Sequence, residues 1–463
     1  MIEQKLIVGI DDSPKKWYQW VLYGCQHLLA MFVANALISI LVFTPYDVDM
    51  VASSLISAGV GTLVYLVLTK LRSPVFLASS AALMPVMSTC LALNTTDTVN
   101  THGNFIALII GMVVVGLVYV LIGLMIKFLG TQWLNKLLPP VIVGPIIMLI
   151  GLGLAGFAVN WSMYNSGDAS LYNSDNYNLV GILVALFTMF VIAIISHYSK
   201  KTLKTLPFLV GILSGYALAC ALTGIGITTN VKDLQLVDLG LFRAENIEWL
   251  PTFAFMKAAE GAAANGFEWT QLGNILLVAI PVSLVAICEH IGDHLNLSNI
   301  TGRELLKDPG LSRTLMGDGI ATALGGPISG LGNTTYGENV AVIGVTKIGS
   351  SRVLIPAALL TIILGFFGPL MLFVKSIPYA VFGGASLILY GFIAMSGVKS
   401  LQKVDLTSNK NMIIVSVILI MGVGGLVLKF GSFTFTSTAL AMVIGIILNA
   451  VLVESKPKDI PLK

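Results

Sequence analysis

The sequence predicts an all-α polytopic membrane protein: fourteen transmembrane segments in two inverted repeats of seven, with short strands in segments 3 and 10. Three observations predict it. Hydrophobic residues make up 56% of the 463 residues and charged ones only 11%, against about 25% charged in a soluble domain; the mean hydropathy is +0.90. The apolar runs are mostly of the roughly 20-residue length that carries a helix across a bilayer, not the alternating segments of about ten residues that build a barrel. In lipid the backbone must close its own hydrogen bonds, which restricts such runs to helices. Finally, Lys and Arg gather in alternate loops.

The first span, residues 17–43, follows a polar start (Glu3, Lys5, Asp11, Asp12, Lys15, Lys16) and is too long for a signal-peptide core. The second, 51–69, stops at Lys70 and Arg72. The third, 74–90, is short and broken by Pro74 and Pro85. The fourth, 104–126, ends at Lys127. The fifth, 137–159, opens on Pro139-Pro140 and runs into a polar, acidic loop. The sixth and seventh, 178–196 and 206–225, flank Lys200, Lys201 and Lys204. The longest loop, 226–271, mixes charge with Trp249, Phe253 and Phe255. Its Ala-rich piece, 258–264, reads as a short interfacial helix or as irregular outer loop.

The second half holds spans at 272–292, 314–328, 338–346, 353–374, 377–398, 412–428 and 432–453, of which the ninth and tenth are short. With the N-terminus inside, only Lys232, Arg243, Lys257, Lys375 and Lys429 of the 26 basic residues fall outside. That bias predicts both termini in the cytoplasm and an even number of spans. Scattered basic residues at a net charge of +3 argue against nucleic-acid binding. Cys25, Cys90, Cys220 and Cys288 have no metal-like spacing and read as small hydrophobes.

Two sets of seven spans about the long loop have opposite orientations, the inverted repeat of many secondary transporters. Residues 1–225 form the first repeat, 226–271 the connecting loop and 272–463 the second repeat. Gln26-His27 in the first span echoes Glu289-His290 in the eighth, and the third span of each half is the irregular one. Paired short, Gly/Pro-broken segments point to a transporter's binding site.

Chemistry concentrates between Cys288 and Lys347. Ionisable groups at membrane depth are costly and read first as functional. Glu289 and Asp293 lie four apart, on one helical face, and form a candidate proton-sharing pair; a span ending near Gly292 would instead leave Asp293 and His294 wet. His290 and His294 have metal-binding spacing, but Ile291 stands where a metalloprotease places its glutamate, and no third ligand is visible. His27 reads as a packed, hydrogen-bonded residue, and Asp318 as a helix-end or loop residue. Gly325 to Gly332 lacks the Lys-Ser/Thr of a phosphate loop and reads as close packing and a hinge.

Glu338 sits between Gly337 and Asn339 where extended backbone enters a short helix, and Ser79-Ser80-Ala81 is its counterpart. Two such strand-to-half-helix entries present N–H donors from both halves, beside carboxylate acceptors. A planar, uncharged ring with alternating N–H and C=O edges needs that arrangement. Tyr336 stacks on that ring or packs beside it.

These residues resemble the uracil permease branch of the nucleobase/ascorbate transporters. The resemblance runs over nearly the whole chain. Its most specific part is Asn333-Thr334-Thr335-Tyr336-Gly337-Glu338-Asn339. Gln26 to Phe32, Leu137 to Val141, Glu289 to Gly292 and Asp308 to Leu311 support it. It implies a core domain (about 17–126 plus 272–374) and a gate domain (about 137–225 plus 377–453). It also implies uracil held by Glu289 and Glu338 with the N–H groups of Ala81 and Gly337, beside Ser80 and Tyr336. A proton would be co-transported through Glu289, Asp293 and His290, without cofactor or metal, in the cell membrane. A homodimer through the gate domain belongs to the same expectation. Two positions depart from the family: an acid, Asp293, replaces a histidine, and Ala341 stands where a glycine is expected. Purine-transporting relatives carry glutamine at the position of Glu338. The alternatives are a purine (xanthine- or urate-type) symporter of this fold, an anion transporter of similar architecture, disfavoured by the paired acids, and an intramembrane metal hydrolase.

Overall fold

The computed structural model describes residues 6–93, 103–200, 203, 206–265, 269–402, 404–430 and 433–452. Lys5, Lys201, Lys204, Lys403, Lys456, Lys458 and Lys463 of the charge pattern lie outside them. The first half comprises α1 (Trp17–Phe43), α2 (Val51–Leu68), β1 (Leu77–Ser79), α3 (Met84–Leu91), α4 (Phe105–Leu129) and α5 (Gln132–Leu137), then α6 (Pro140–Gly153), α7 (Ala155–Tyr164), α8 (Leu179–Tyr198) and α9 (Pro207–Thr229). The connecting segment carries α10 (Ala254–Asn265), a helix where the Ala-rich piece suggested one. The second half comprises α11 (Leu272–Thr301), α12 (Leu311–Ser329), β2 (Asn333–Thr335), α13 (Gly337–Thr346), α14 (Leu354–Gly365) and α15 (Gly368–Ser376), then α16 (Tyr379–Leu401), α17 (Asn409–Val423), β3 (Leu428–Phe430), β4 (Phe433–Phe435) and α18 (Ser437–Val451).

Local chemistry sets the helix starts. Asn104 and Asn178 cap α4 and α8, accepting from Ala107 N and Gly181 N at 3.0 and 2.9 Å. Pro140 and Pro207 open α6 and α9, where a missing N–H costs nothing. Among the described residues, eight helices are long and apolar enough to cross a membrane, or nine if α14 and α15, bent by 78° at residues 366–367, make one span. On α8, Leu183, Phe187, Phe190 and Ile194 form an exposed stripe, which suits lipid and not water.

Four expectations are corrected. The eighth run does not stop near Gly292: α11 continues to Thr301, because Asp293, His294 and Ser298 find partners inside the protein. The eleventh, 353–374, is two helices with a sharp bend. The thirteenth stops at Val423, and Leu428–Phe430 pairs with Phe433–Phe435 as a hairpin before α18. Asp318 sits mid-helix in α12, fully buried, and not at a helix end.

Packing is close where α4 crosses α12. A Cβ on Gly116 would lie 2.3 Å from Gly319 O, and one on Gly319 would lie 2.6 Å from Gly116 O. The backbones touch there because neither residue carries a side chain, the small-residue contact that membrane helices use for association. α2 and α14 also pack together, and α2 packs on α12, while α16 packs on α6, α7 and α8. The N-terminal stretch lies against the segment after α13: Ile7 N–H donates to Lys347 O and Gly349 N–H to Val8 O, both at 2.8 Å.

Candidate functional site

The site is built on a ladder of three residues. β1 and β2 pair antiparallel, Leu77 with Thr335, Ala78 with Thr334 and Ser79 with Asn333. Ser80 N–H to Gly332 O (2.9 Å) and Tyr336 N–H to Phe76 O (3.1 Å) extend the pairing at both ends. All six paired residues are buried. Each strand runs into a helical start: β1 into a tight turn at Ala81–Leu83 and then α3, β2 into α13. The first intrahelical bond of α13 is donated by Val340 N–H to Tyr336 O, so the N–H groups of Gly337, Glu338 and Asn339 precede it. Two helix starts with positive partial charge thus meet where Glu338 stands in the first turn.

Side chains hold the strands from behind. Asn35, on α1, accepts from Ser79 N–H (3.0 Å) and Ser79 Oγ–H (2.7 Å) and donates to Ser54 Oγ (2.8 Å). Thr62 Oγ1 accepts from Leu77 N–H at 2.9 Å and donates to Leu77 O at 3.2 Å. Asn333 donates to Ser57 Oγ and to Ala321 O, both at 3.1 Å. Asn339 donates to His27 O at 2.9 Å and contacts its Nδ1 at 3.1 Å, so His27 is the packed, hydrogen-bonded residue expected of it.

In front of the ladder lies a cavity of about 420 Å³. Ala81, Glu289, Asp293, Tyr336, Gly337 and Glu338 all line it, so the structure brings these sequence-predicted residues from both halves together. Ser80 is buried beside it and donates to Glu289 Oε2 at 3.5 Å. Thr335 Oγ1 donates to Asp293 Oδ2 at 2.7 Å, and Asp293 Oδ1 lies 3.6 Å from where a Cβ on Gly337 would sit. The cavity extends past Asn296 to Ser196, Leu206 and Lys399, at the end of α8, the approach to α9 and the last turn of α16. Carboxylates accept and backbone N–H groups donate here, a set that binds both edges of a small planar amide.

His290 is not in the cavity. Successive helical residues point apart, and His290 turns to α12, where its Nδ1 meets Asp318 Oδ2 at 2.7 Å and its Nε2 meets Thr314 Oγ1 at 3.0 Å. Thr334 Oγ1 also donates to Asp318, at 3.4 Å. His294 gives Nδ1–H to His290 O (2.8 Å) and accepts at Nε2 from Tyr65 O–H (2.9 Å). Its ring stacks on that of His290, with centroids 4.2 Å apart. All four ring nitrogens therefore have protein partners, and among the described residues no group of three or more His, Cys, Asp or Glu is arranged to hold a metal.

Sequence reasoning missed Asn35 and Thr62, and it held Thr334 and Thr335 only as part of the Asn333–Asn339 stretch, without a role of their own. Asn35 carried a signal, a lone amide amid Ala34, Ala36, Leu37 and Ile38 at membrane depth. Thr62 carried none, because membrane helices hold many threonines that satisfy only their own backbone.

A family model described as a permease family matches residues 18–430. Among curated relatives, the uracil permease of Bacillus subtilis (strain 168) is 36% identical over 99% of this chain and 98% of its own length. That of Bacillus caldolyticus is 38% identical over 97% and 95%, and that of Escherichia coli (strain K12) 33% identical over 96% and 93%. Among solved structures, the transmembrane domain of the cyanobacterial bicarbonate transporter BicA superposes with a TM-score of 0.60 over 94% of this chain and 99% of that one, at 16% identity. The murine anion transporter Slc26a9, in its inward-facing state, gives 0.62 over 95% and 68%, at 12% identity. These two likenesses concern the fold alone.

Proposed function

We propose that this chain, which belongs to the permease family, is a uracil permease that carries uracil across the cell membrane together with a proton. One observation carries the reading of the site. The β1–β2 ladder gathers Glu289, Glu338 and the helix starts at Ala81 and Gly337 around one cavity, in a chain 33 to 38% identical to uracil permeases. Glu289 and Glu338 accept from the ring N–H groups. The N–H groups at Ala81 and Gly337 donate to its carbonyls, and Tyr336 packs beside the ring. The proton rides on Glu289 and Asp293, while the neighbouring His290, bonded to Asp318 and Thr314 on α12, fixes the turn of α11 that carries Glu289.

The finer architecture belongs to the same proposal: fourteen segments in two inverted sevens, with β1 leading into α3 and β2 into α13 as the paired third and tenth. The antiparallel ladder between corresponding strands supports that repeat. The core domain takes α1–α4 and α11–α15, the gate domain α6–α9 and α16–α18, and a homodimer forms through the gate. Both termini are cytoplasmic. Lys399 lies at the open end of the cavity, so this conformation faces the cytoplasm.

Uptake of labelled uracil by cells lacking their own uracil transport tests the function. Absence of saturable uptake overturns it. Uptake insensitive to a protonophore removes only the proton. Preference for xanthine over uracil moves the chain to the purine reading, against which Glu338 stands.

A further inference from the structure

The central cavity is not the only space along the boundary between α1 and α16. A second one, of about 460 Å³, lies toward the other end of both helices. The central cavity touches Ala34 and Ile38 on α1 and Leu389 and Tyr390 on α16. The second touches Ser39, Ile40 and Thr44 beyond α1's midpoint and Tyr379 and Phe382 at the start of α16. The two cavities follow one another along the same pair of helices, with Ile38 on the wall of the central one and its neighbour Ser39 on the wall of the second. Ser39 Oγ, buried on the wall of the second, has no hydrogen-bond partner among the described residues, which is unusual for a buried hydroxyl.

One contact lies across the boundary at that end. Thr44 Oγ1 meets Tyr379 Oη at 3.4 Å. Gly167, in the loop after α7, faces both: a Cβ there would lie 2.7 Å from Thr44 Cγ2 and 2.7 Å from the Tyr379 ring. Trp161 backs Tyr379, with ring centroids 5.5 Å apart. The end of α1 is therefore seated against Tyr379 and the absent side chain of Gly167, a fit that any other residue at 167 disturbs.

We infer that Thr44, Gly167 and Tyr379 form the outer gate of the transport path, and that the second cavity is the outer vestibule behind which uracil waits or from which it enters. This rests on the transport reading. In the outward-open form, α1 separates from Tyr379, the two cavities join, and Ser39 gains water as its partner. Gly167 sets how tightly the gate shuts.

The experiment measures thiol labelling, which needs no substrate and so stands apart from the test of uracil. Purified Ser39→Cys protein in nanodiscs, where both faces meet the reagent, is labelled with a maleimide and read at residue 39 by peptide mass spectrometry. Adding Gly167→Val wedges the contact apart. Labelling then rises about tenfold if the two-state equilibrium moves tenfold toward the open form. An unchanged or slower rate in protein that elutes as the parent does overturns the inference. A second variant covers misfolding of the first: Thr44→Cys with Tyr379→Cys, bridged by a bifunctional methanethiosulfonate whose two reducible disulfides span the length of the lost tyrosine ring, holds the gate shut. Uptake in vesicles is then lost and returns on reduction. Complete cross-linking with unimpaired uptake also overturns it.

Discussion

Asn35→Ala tests whether the ladder, and not the acids alone, makes the site. Asn35 touches none of the lining acids; it holds Ser79 through two accepted hydrogen bonds, at 3.0 and 2.7 Å. Alanine removes both. The Ser79 hydroxyl can rotate to another acceptor, and Ser54 keeps its bond to Val51 O at 2.7 Å. The Ser79 N–H cannot move without moving β1, and at 1% exposure it reaches no bulk water. An unsatisfied buried donor costs about 1–3 kcal/mol. If β1 shifts to relieve it, Ala81 leaves its place and the binding form must be restored at that cost. At about 1.4 kcal/mol per tenfold, uracil affinity weakens roughly 5- to 150-fold. Titration calorimetry of the purified variant measures this, with size-exclusion behaviour confirming the fold. A dissociation constant within about twofold of the parent's, where a tenfold change marks 1.4 kcal/mol, refutes the dependence of the site on the ladder.

Other perturbations have distinct outcomes. Glu338→Gln presents N–H where a ring N–H needs an acceptor, and loss of a charged hydrogen bond of about 1.5–3 kcal/mol weakens uracil binding by roughly 10- to 150-fold; unchanged affinity removes Glu338 from the site. Asp293→Asn alters the pH profile of uptake if Glu289 and Asp293 share the proton, and superimposable profiles take Asp293 out of the coupling. Gly116→Val drives a side chain into the Gly319 carbonyl and lowers the melting temperature by the equivalent of about 3 kcal/mol or more, with no change if that crossing is looser than described. Asp308→Asn concerns the face beyond the helices. The hydrogen bond from Arg303, helped by Arg72, holds the Asp308 carboxyl below the usual carboxylate range. A folded pKa below the unfolded value of about 4 gives stability that is complete above the unfolded value and is lost as pH falls through the folded one. The small thermal advantage of the parent at pH 7 should shrink as pH falls below the unfolded value and vanish once Asp308 is protonated in the folded protein too; an advantage that does not shrink on acidification refutes the assignment.

Much of this was legible in the residues. Charge scarcity and run length gave the class. The irregular stretches at 73–85 and 325–346 marked the two strand-to-helix entries, because Pro, Gly and small polar residues suit neither a plain membrane helix nor a loop. Glu289 and Glu338 stood out as acids among apolar neighbours. The extent of α11 was not legible, since the partners that keep Asp293 and His294 dry, Thr335 and Tyr65, come from distant segments. The same holds for Asp318, whose place in a low-hydropathy, Gly-rich run looked like a helix end until His290 and Thr334 accounted for it. The hairpin before α18 was hidden because its strands, Leu428–Phe430 and Phe433–Phe435, continue the apolar runs on either side.

The ladder also bears on how the protein is made. Leu77–Ser79 leaves the ribosome long before its partner, Asn333–Thr335, which follows more than half the chain later. Until then a strand edge destined for the membrane interior has no mate, and in lipid it cannot borrow water. The nascent first half must keep β1 near the aqueous channel of the insertion machinery, or let Asn35 and Thr62 hold it provisionally. Coexpressed halves of the chain, split within residues 226–271, should then recover uptake only when both are inserted together. A first half made alone should meet quality-control proteases, its unfinished strand acting as the mark of an incomplete transporter.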